Sequence, residues 1–326
     1  MGTIARQTLK GSVYSYIGAL IGFVNVAVLM PHIFSTQEVG LTNILISISA
    51  IFGQFGTLGF VNVTTRLFPY FRNKEKKHSG FLFLSFIAGF TGFFICLLIF
   101  HFSKSYLISQ NIESSPLFVE YIYLLIPLIF ITIFYLLIDT YNRVLFNASF
   151  GAFVKEFLLR ILNFAGILLF YFEYFTFHDF IIFYTAVYAV PVILICILLI
   201  YRGEFSLKPS FSFLNPFLKK EIPPVAIFGI IAGFSGIAAM HIDRYMVNHF
   251  CDLSATGVYA TAFFFGTMIL LPGRSLLRIA SSSITEAFKN NDSKTVNNIY
   301  SKSTINQMLI AGFIFLLIWT NIESIM

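Results

Sequence analysis

His32-Ile33-Phe34-Ser35-Thr36-Gln37-Glu38-Val39-Gly40-Leu41-Thr42 returns, loosely, 217 positions later as His249-Phe250-Cys251-Asp252-Leu253-Ser254-Ala255-Thr256-Gly257-Val258-Tyr259. In each copy a short polar turn with a glycine at its far end joins two long apolar segments. A hairpin repeated inside a very apolar chain points to a membrane transporter built by duplication. The same offset sets Gly18 and Gly22 opposite Ser235 and Ala239, Gly56 opposite Gly273, and Phe55 opposite Pro272. Gly18/Gly22 and Ser235/Ala239 are small-xxx-small pairs, which let helix backbones approach closely.

Hydrophobic residues make up 57% of the chain and charged residues 11%, with a mean hydropathy of +0.83. A soluble domain carries roughly 25% charged residues, so this composition cannot cover a water-facing surface. The first apolar run, from Val13, is too long for a signal-peptide core and has no small-residue cleavage site. Arg6 stands where N-myristoylation needs Ser or Thr. Cys96, Cys196 and Cys251 have no paired or metal-like spacing and read as small apolar filler.

A bilayer core needs roughly 20 apolar residues per helix. Nine such runs occur, near 13–34, 41–68, 80–102, 121–145, 154–172, 180–201, 223–250, 257–287 and 303–322. They are continuous rather than alternating, which excludes barrel strands. The expected fold is therefore all-α and polytopic, with nine transmembrane helices: six in an N-terminal lobe (1–221) and three in a partial second lobe (222–326). An even number of spans per copy makes the repeats parallel, related by an axis along the membrane normal.

Of the 21 Lys and Arg residues, 19 lie at the N-terminus or in or near the even-numbered loops. The opposite loops hold Lys104 together with Glu38, Glu113, Glu120, Glu173, Asp179 and Asp252. The positive-inside rule then places the N-terminus in the cytoplasm. The net charge of +6 reflects this topology, not nucleic-acid binding, and the basic loop Arg72–Lys77 is placed to touch anionic lipid. The longest loops, Ser103–Glu120 outside and Arg202–Glu221 inside, are too short to fold a soluble domain. Any function must sit between the helices.

Met240-His241-Ile242-Asp243-Arg244-Tyr245-Met246, followed by Ser254-Ala255-Thr256-Gly257-Val258-Tyr259-Ala260-Thr261-Ala262, resembles the D-R…G-x-Y-x-x-A signature of the O-antigen and Wzx-type polysaccharide flippases of the MOP exporter superfamily. The turn Thr36–Leu41 is similar to that family's first hairpin, and Ala280–Phe288 resembles the end of its eighth span. The resemblance covers the whole chain as a pattern. It implies turnover, by alternating access, of an oligosaccharide on a polyprenyl pyrophosphate carrier across a bacterial plasma membrane, with glycan polymerase and glycosyltransferases as partners in surface polysaccharide biosynthesis. It implies two six-helix lobes around a cavity and no cofactor. Members usually have twelve to fourteen spans, so the resemblance also implies a C-terminally incomplete chain.

Ionisable residues inside a membrane are costly and are functional candidates. Asp243 and Arg244 lie within the seventh run, either as a cavity or gate pair or with Arg244 snorkelling and Asp243 paired to a neighbour. Arg274 and Arg278 are one turn apart on one face, after the helix-loosening Pro272-Gly273. Two guanidiniums there suit a pyrophosphate, because Arg presents planar bidentate donors; anchoring by the positive-inside bias is the alternative. Arg66, near the inner end of the second run, is a candidate from the facing lobe. Asn25 and Gln54 are polar residues in the first two spans, set for interhelical hydrogen bonding or cavity lining. Asp139/Arg143 and Glu156/Arg160 read as local helix pairs. His241 and His249 lack companions at metal spacing, so no metal is expected.

Three other readings remain at this stage. A cation-coupled drug exporter or lipid II flippase of the same superfamily is one, although spans 1, 2, 3, 5 and 6 have no Asp or Glu in their cores and the only acid of span 4 is Asp139, near its inner end. A membrane-embedded enzyme of glycan assembly is another, but no catalytic cluster, HExxH, phosphate-cradling Gly-Lys loop or Ser-His-Asp pattern occurs. A non-transporting membrane component is the third. Reporter fusions after Lys76 and after Glu113 are expected to mark opposite sides of the membrane; signals from one side would reject the charge-derived topology.

Overall fold

The computed structural model describes residues 3–73, 77–208, 216–270 and 292–321. Among the described residues every regular element is helical and no strand occurs. Lipid permits this arrangement because a helix satisfies its backbone groups internally. In chain order the helices are α1 (Val13–Ile33), α2 (Thr36–Gly56), α3 (Phe60–Phe71), α4 (Phe81–Asn111), α5 (Pro116–Val144), α6 (Leu159–Tyr171), α7 (Phe177–Tyr201), α8 (Leu218–Phe250), α9 (Leu253–Leu270) and α10 (Ser293–Thr320). All except α3 and α6 belong to a set of eight helices, among the described residues, long and apolar enough to cross a bilayer. The chain is a polytopic helical membrane protein.

Three differences from the sequence expectations have local causes. The run 41–68 is broken, because Leu58 and Gly59 take φ of 48° and 73°, a left-handed turn that ends α2 and starts α3. The run 80–102 continues helically to Asn111, and the next helix begins at Pro116, so most of the expected outside loop Ser103–Glu120 is helix. The run 154–172 is helical, continuing from Ala148–Ala152 through a π-helical turn, Phe153–Leu158, into α6. Its Lys155, Glu156 and Arg160 keep it out of the apolar set. The second half of the run 257–287 lies outside the described residues.

The described residues divide into two compact units, Met1–Tyr259 and Ala260–Met326. In the second, Asp292 caps α10 by accepting hydrogen bonds from the Thr295 amide (2.9 Å) and hydroxyl (2.6 Å). These bonds hold its carboxyl below the usual range.

In the first unit the connections alternate between two ends, as successive membrane crossings require. At one end Arg72 Nη2 donates to the Val144 carbonyl (2.7 Å), and Arg202 donates to Asn147. His78 Nε2 there meets Glu204 Oε2 at 2.6 Å. At the other end Asn248 Nδ2 donates to Asn111 Oδ1 (2.7 Å) and the Ser115 hydroxyl donates to Asn248 Oδ1 (3.1 Å). An interhelical hydrogen bond in a membrane contributes only about 0.6 kcal/mol on average. Close packing therefore has to carry most of the stability.

The glycines flagged by the repeat mark where that packing is tightest. A Cβ on Gly18 would overlap the Glu156 carbonyl oxygen, and one on Gly22 would meet the Arg160 guanidinium at 2.8 Å. The Gly18/Gly22 seam thus joins α1 to the π turn and α6. The two repeated hairpins touch each other. A Cβ on Gly40 would overlap the Leu253 carbonyl, and one on Gly257 would overlap the Thr36 carbonyl. Since Thr36 and Leu253 are also 217 residues apart, the contact is reciprocal, as a two-fold relation between the repeats gives. Thr36 and Ser254 hydroxyls close it at 2.6 Å. Cap chemistry repeats too: Ser35 accepts from the Glu38 amide and Asp252 from the Ala255 amide.

Overpacking a tight seam costs roughly 1–3 kcal/mol. Gly257→Val and Gly40→Val are each expected to lower the thermal midpoint of the purified protein by several degrees, whereas Gly236→Ala, facing open space, leaves it unchanged. Equal midpoints for all three would show that the hairpin contact does not form.

Candidate functional site

Beyond the hairpin contact, α8 runs antiparallel along α2, and the seam between them carries polar groups. Ser47 of α2 lies 11 residues from Thr36, about 16 Å along the helix, and Arg244 of α8 lies six residues from Phe250, about 9 Å. Arg244 Nη1 donates to Ser47 Oγ at 3.4 Å and toward His241 Nδ1 at 3.3 Å, while Ser47 Oγ and His241 Nδ1 are 3.2 Å apart. Tyr184 of α7 and Tyr259 of α9 stand within electrostatic reach of the guanidinium. Placing an arginine at the centre of a membrane helix costs about 2.5–3.5 kcal/mol on insertion scales. The polar groups drawn around Arg244 offset part of this and fix where its charge points.

Asp243, the adjacent residue, turns elsewhere because neighbours on a helix diverge by about 100°. Its Oδ2 accepts a hydrogen bond from the Tyr259 hydroxyl at 3.1 Å. Two turns along α2 from Ser47, Gln54 is buried and its amide packs against the backbone of Gly233, where any side chain would overlap it. Asn25 is buried between α1 and α6, donating from Nδ2 to the Arg160 carbonyl at 2.8 Å. Arg66 is exposed on α3; the buried side of that helix is formed by Val63, Leu67, Phe68 and Phe71. The structure therefore joins Arg244 to the α2–α8 seam and leaves the Arg66 side chain outside it. Arg274 and Arg278 lie outside the described residues.

The paired charges of the N-terminal helices behave as expected, with Arg143–Asp139 at 3.1 Å and Arg160–Glu156 at 2.7 Å. Lys155, counted among the loop cations, instead turns inward, its Nζ 4.0 Å from the centroid of the Tyr135 ring. Ser47, absent from the candidates that the sequence pattern marks, and His241, weighed there only as a metal ligand, both join the seam. The signal in the sequence is the spacing of His241 and Arg244, three residues apart on one helix face. Among the described residues no group of three or more His, Cys, Asp or Glu side chains could hold a metal.

If the seam is formed as described, Ser47→Cys/His241→Cys, made with Cys96, Cys196 and Cys251 replaced by Ser, is expected to cross-link efficiently under mild oxidation. A Ser47→Cys/Asp243→Cys pair is expected to remain reduced. Failure of the first pair, or cross-linking of both alike, would contradict the orientation of α8. No protein-family model, curated protein or solved structure matches this chain.

Proposed function

We propose that this protein is a flippase that moves a polyprenyl-pyrophosphate-linked oligosaccharide across a bacterial plasma membrane by alternating access, with its N-terminus in the cytoplasm. The observation that carries the reading is Arg244, a permanent cation held inside the membrane against Ser47 and His241. A guanidinium keeps its charge at any physiological pH and offers several donors to phosphate oxygens. An anionic head group crossing the bilayer needs such a partner within the apolar core, where water does not screen it. The hydroxyls of Ser47, Tyr184 and Tyr259 suit the sugar portion, and the apolar outer helix faces suit the polyprenyl chain.

Two further features support this reading. The signature around Asp243-Arg244 and Gly257-x-Tyr259 is the one that resembles polysaccharide flippases, and both of its halves meet the first hairpin or α2 in space. The reciprocal hairpin contact joins equivalent points of the two repeats, which suits a machine whose halves rock about a common axis. In this proposal Arg274 and Arg278, which lie outside the described residues, are further pyrophosphate ligands, on the ground of their paired guanidiniums one turn apart in sequence.

Arg244→Ala, and separately Arg274→Ala/Arg278→Ala, are expected to reduce surface glycan at least tenfold at unchanged membrane abundance, with Arg244→Lys retaining part of the activity. Full glycan display in cells whose only copy is Arg244→Ala would reject the assignment of the seam.

A further inference from the structure

From Ile230 to Phe250, among the described residues of α8, one position is buried, and it holds an asparagine, Asn248. Its side chain enters the turn between α4 and α5. Nδ2 donates to Asn111 Oδ1 at 2.7 Å, and the Ser115 hydroxyl donates to Asn248 Oδ1 at 3.1 Å. Asn111 donates in turn from Nδ2 to the Leu107 carbonyl at 2.8 Å, and the Ser115 amide donates to the Asn111 carbonyl at 2.9 Å. Exposure is 2% for Asn248, 3% for Asn111 and 0% for Ser115. Both carboxamides therefore donate and accept inside the protein, out of reach of water.

A buried helix position is ordinarily apolar. The N-terminal helices follow this rule among themselves, with a shared core that includes Leu41, Ile44, Leu45, Leu125, Leu128 and Ile133. α8 adds Leu218 and Val225 to that core, both within its first turns. Beyond Val225 polar groups recur along the interface. Asn62 packs against Gly229 and Gln54 against Gly233. Ser47 meets His241 and Arg244, and Asn248 meets Asn111 and Ser115. The interface of α8 thus differs in kind from the apolar core it lies against.

Neutral hydrogen bonds between membrane helices are weak, and a carboxamide or hydroxyl that leaves its partner is satisfied again once water reaches it. Apolar side chains in the same place have no such second state, because parting them exposes hydrocarbon to water. A buried neutral network at a helix end suits a contact made to open and reclose, and switching is among the best-attested uses of buried polar groups. The hairpin contact at the same end is closed by a further neutral pair, the Thr36 and Ser254 hydroxyls at 2.6 Å. We propose that Asn248, with Asn111 and Ser115, is a reversible latch that holds α8 against the N-terminal helices at the hairpin end and releases it when water enters the seam. The purpose of the latch rests on the alternating-access reading; its test uses the protein without cargo.

The reporter is Ser47→Cys as the only cysteine, in the full chain in lipid nanodiscs, labelled with a membrane-impermeant maleimide. Ser47 is 0% exposed and faces His241 across the seam, so its labelling rate follows opening of the seam. Asn248→Ala strands Asn111 and Ser115 in the closed state and is expected to raise that rate about fivefold. Asn111→Leu/Ser115→Ala/Asn248→Leu makes the contact apolar and is expected to lower it below that of the unsubstituted latch. A merely structural network would not give these opposite signs. Protein with Cys96 as its only cysteine, 0% exposed in the apolar core, reports unfolding; if Asn248→Ala raises that rate equally, Ser115→Ala takes its place. An unchanged rate with the single variant, or an apolar triple variant that labels no more slowly, would overturn the latch. Loss of lipid exchange with the labelling pattern intact would reject the flippase reading and leave the latch standing.

Discussion

Lipid offers no hydrogen-bond partner, so every polar group placed between membrane helices must find one inside the protein. This constraint organises the described structure. Polar side chains collect where backbones come closest, since only there can they reach across to another helix. The reciprocal approach of Gly40 to Leu253 and of Gly257 to Thr36 is the anchor. It holds the start of α9 against the start of α2, and α8 is thereby laid along the length of α2. Ser47 then falls level with His241 and Arg244, and Gln54 with Gly233. A side chain larger than hydrogen at either hairpin glycine would separate the elements and take the guanidinium away from its partners.

The same logic explains the N-terminal helices. Gly18 and Gly22 bring α1 onto the π turn and α6, and Asn25 reaches the Arg160 carbonyl from that close approach. The charges of this segment find partners within the protein. Lys155 rests on the Tyr135 ring, and Glu156 holds Arg160. The segment 154–172 is thus less apolar than its neighbours and still helical, because its charges pair with one another or rest on an aromatic ring.

Much of this was legible in the sequence, for identifiable reasons. Continuous apolar runs of membrane length admit only helices, so the fold class followed from composition and run length. The 217-residue offset found the hairpins because cap residues and close-contact glycines tolerate few alternatives; Ser35/Asp252 and Gly40/Gly257 are such positions. The Gly18/Gly22 pair was readable as a helix seam for the same reason. The break at Leu58–Gly59 was not, since a single left-handed turn leaves the hydropathy of 41–68 unchanged. Nor was the inward turn of Lys155, because charge counting sees a cation but not the direction of its side chain. The site was legible in part. Asp243, Arg244, Asn25 and Gln54 stood out as polar residues in apolar helices, whereas Ser47 is small enough to pass as an ordinary helix residue, and its part in the seam depends on the register between distant helices.

Arg244, held against Ser47 and His241, and the reciprocal contact of the two hairpins are the features on which the proposed function rests. The most direct measurement is leaflet exchange of a fluorescent polyprenyl-pyrophosphate oligosaccharide in proteoliposomes, read by its accessibility to a membrane-impermeant quencher. The account predicts that the protein renders the inner-leaflet lipid quenchable, and that Arg244→Ala at equal protein content does not. Protected inner-leaflet lipid with the unaltered protein, or equal exchange by Arg244→Ala, would contradict it.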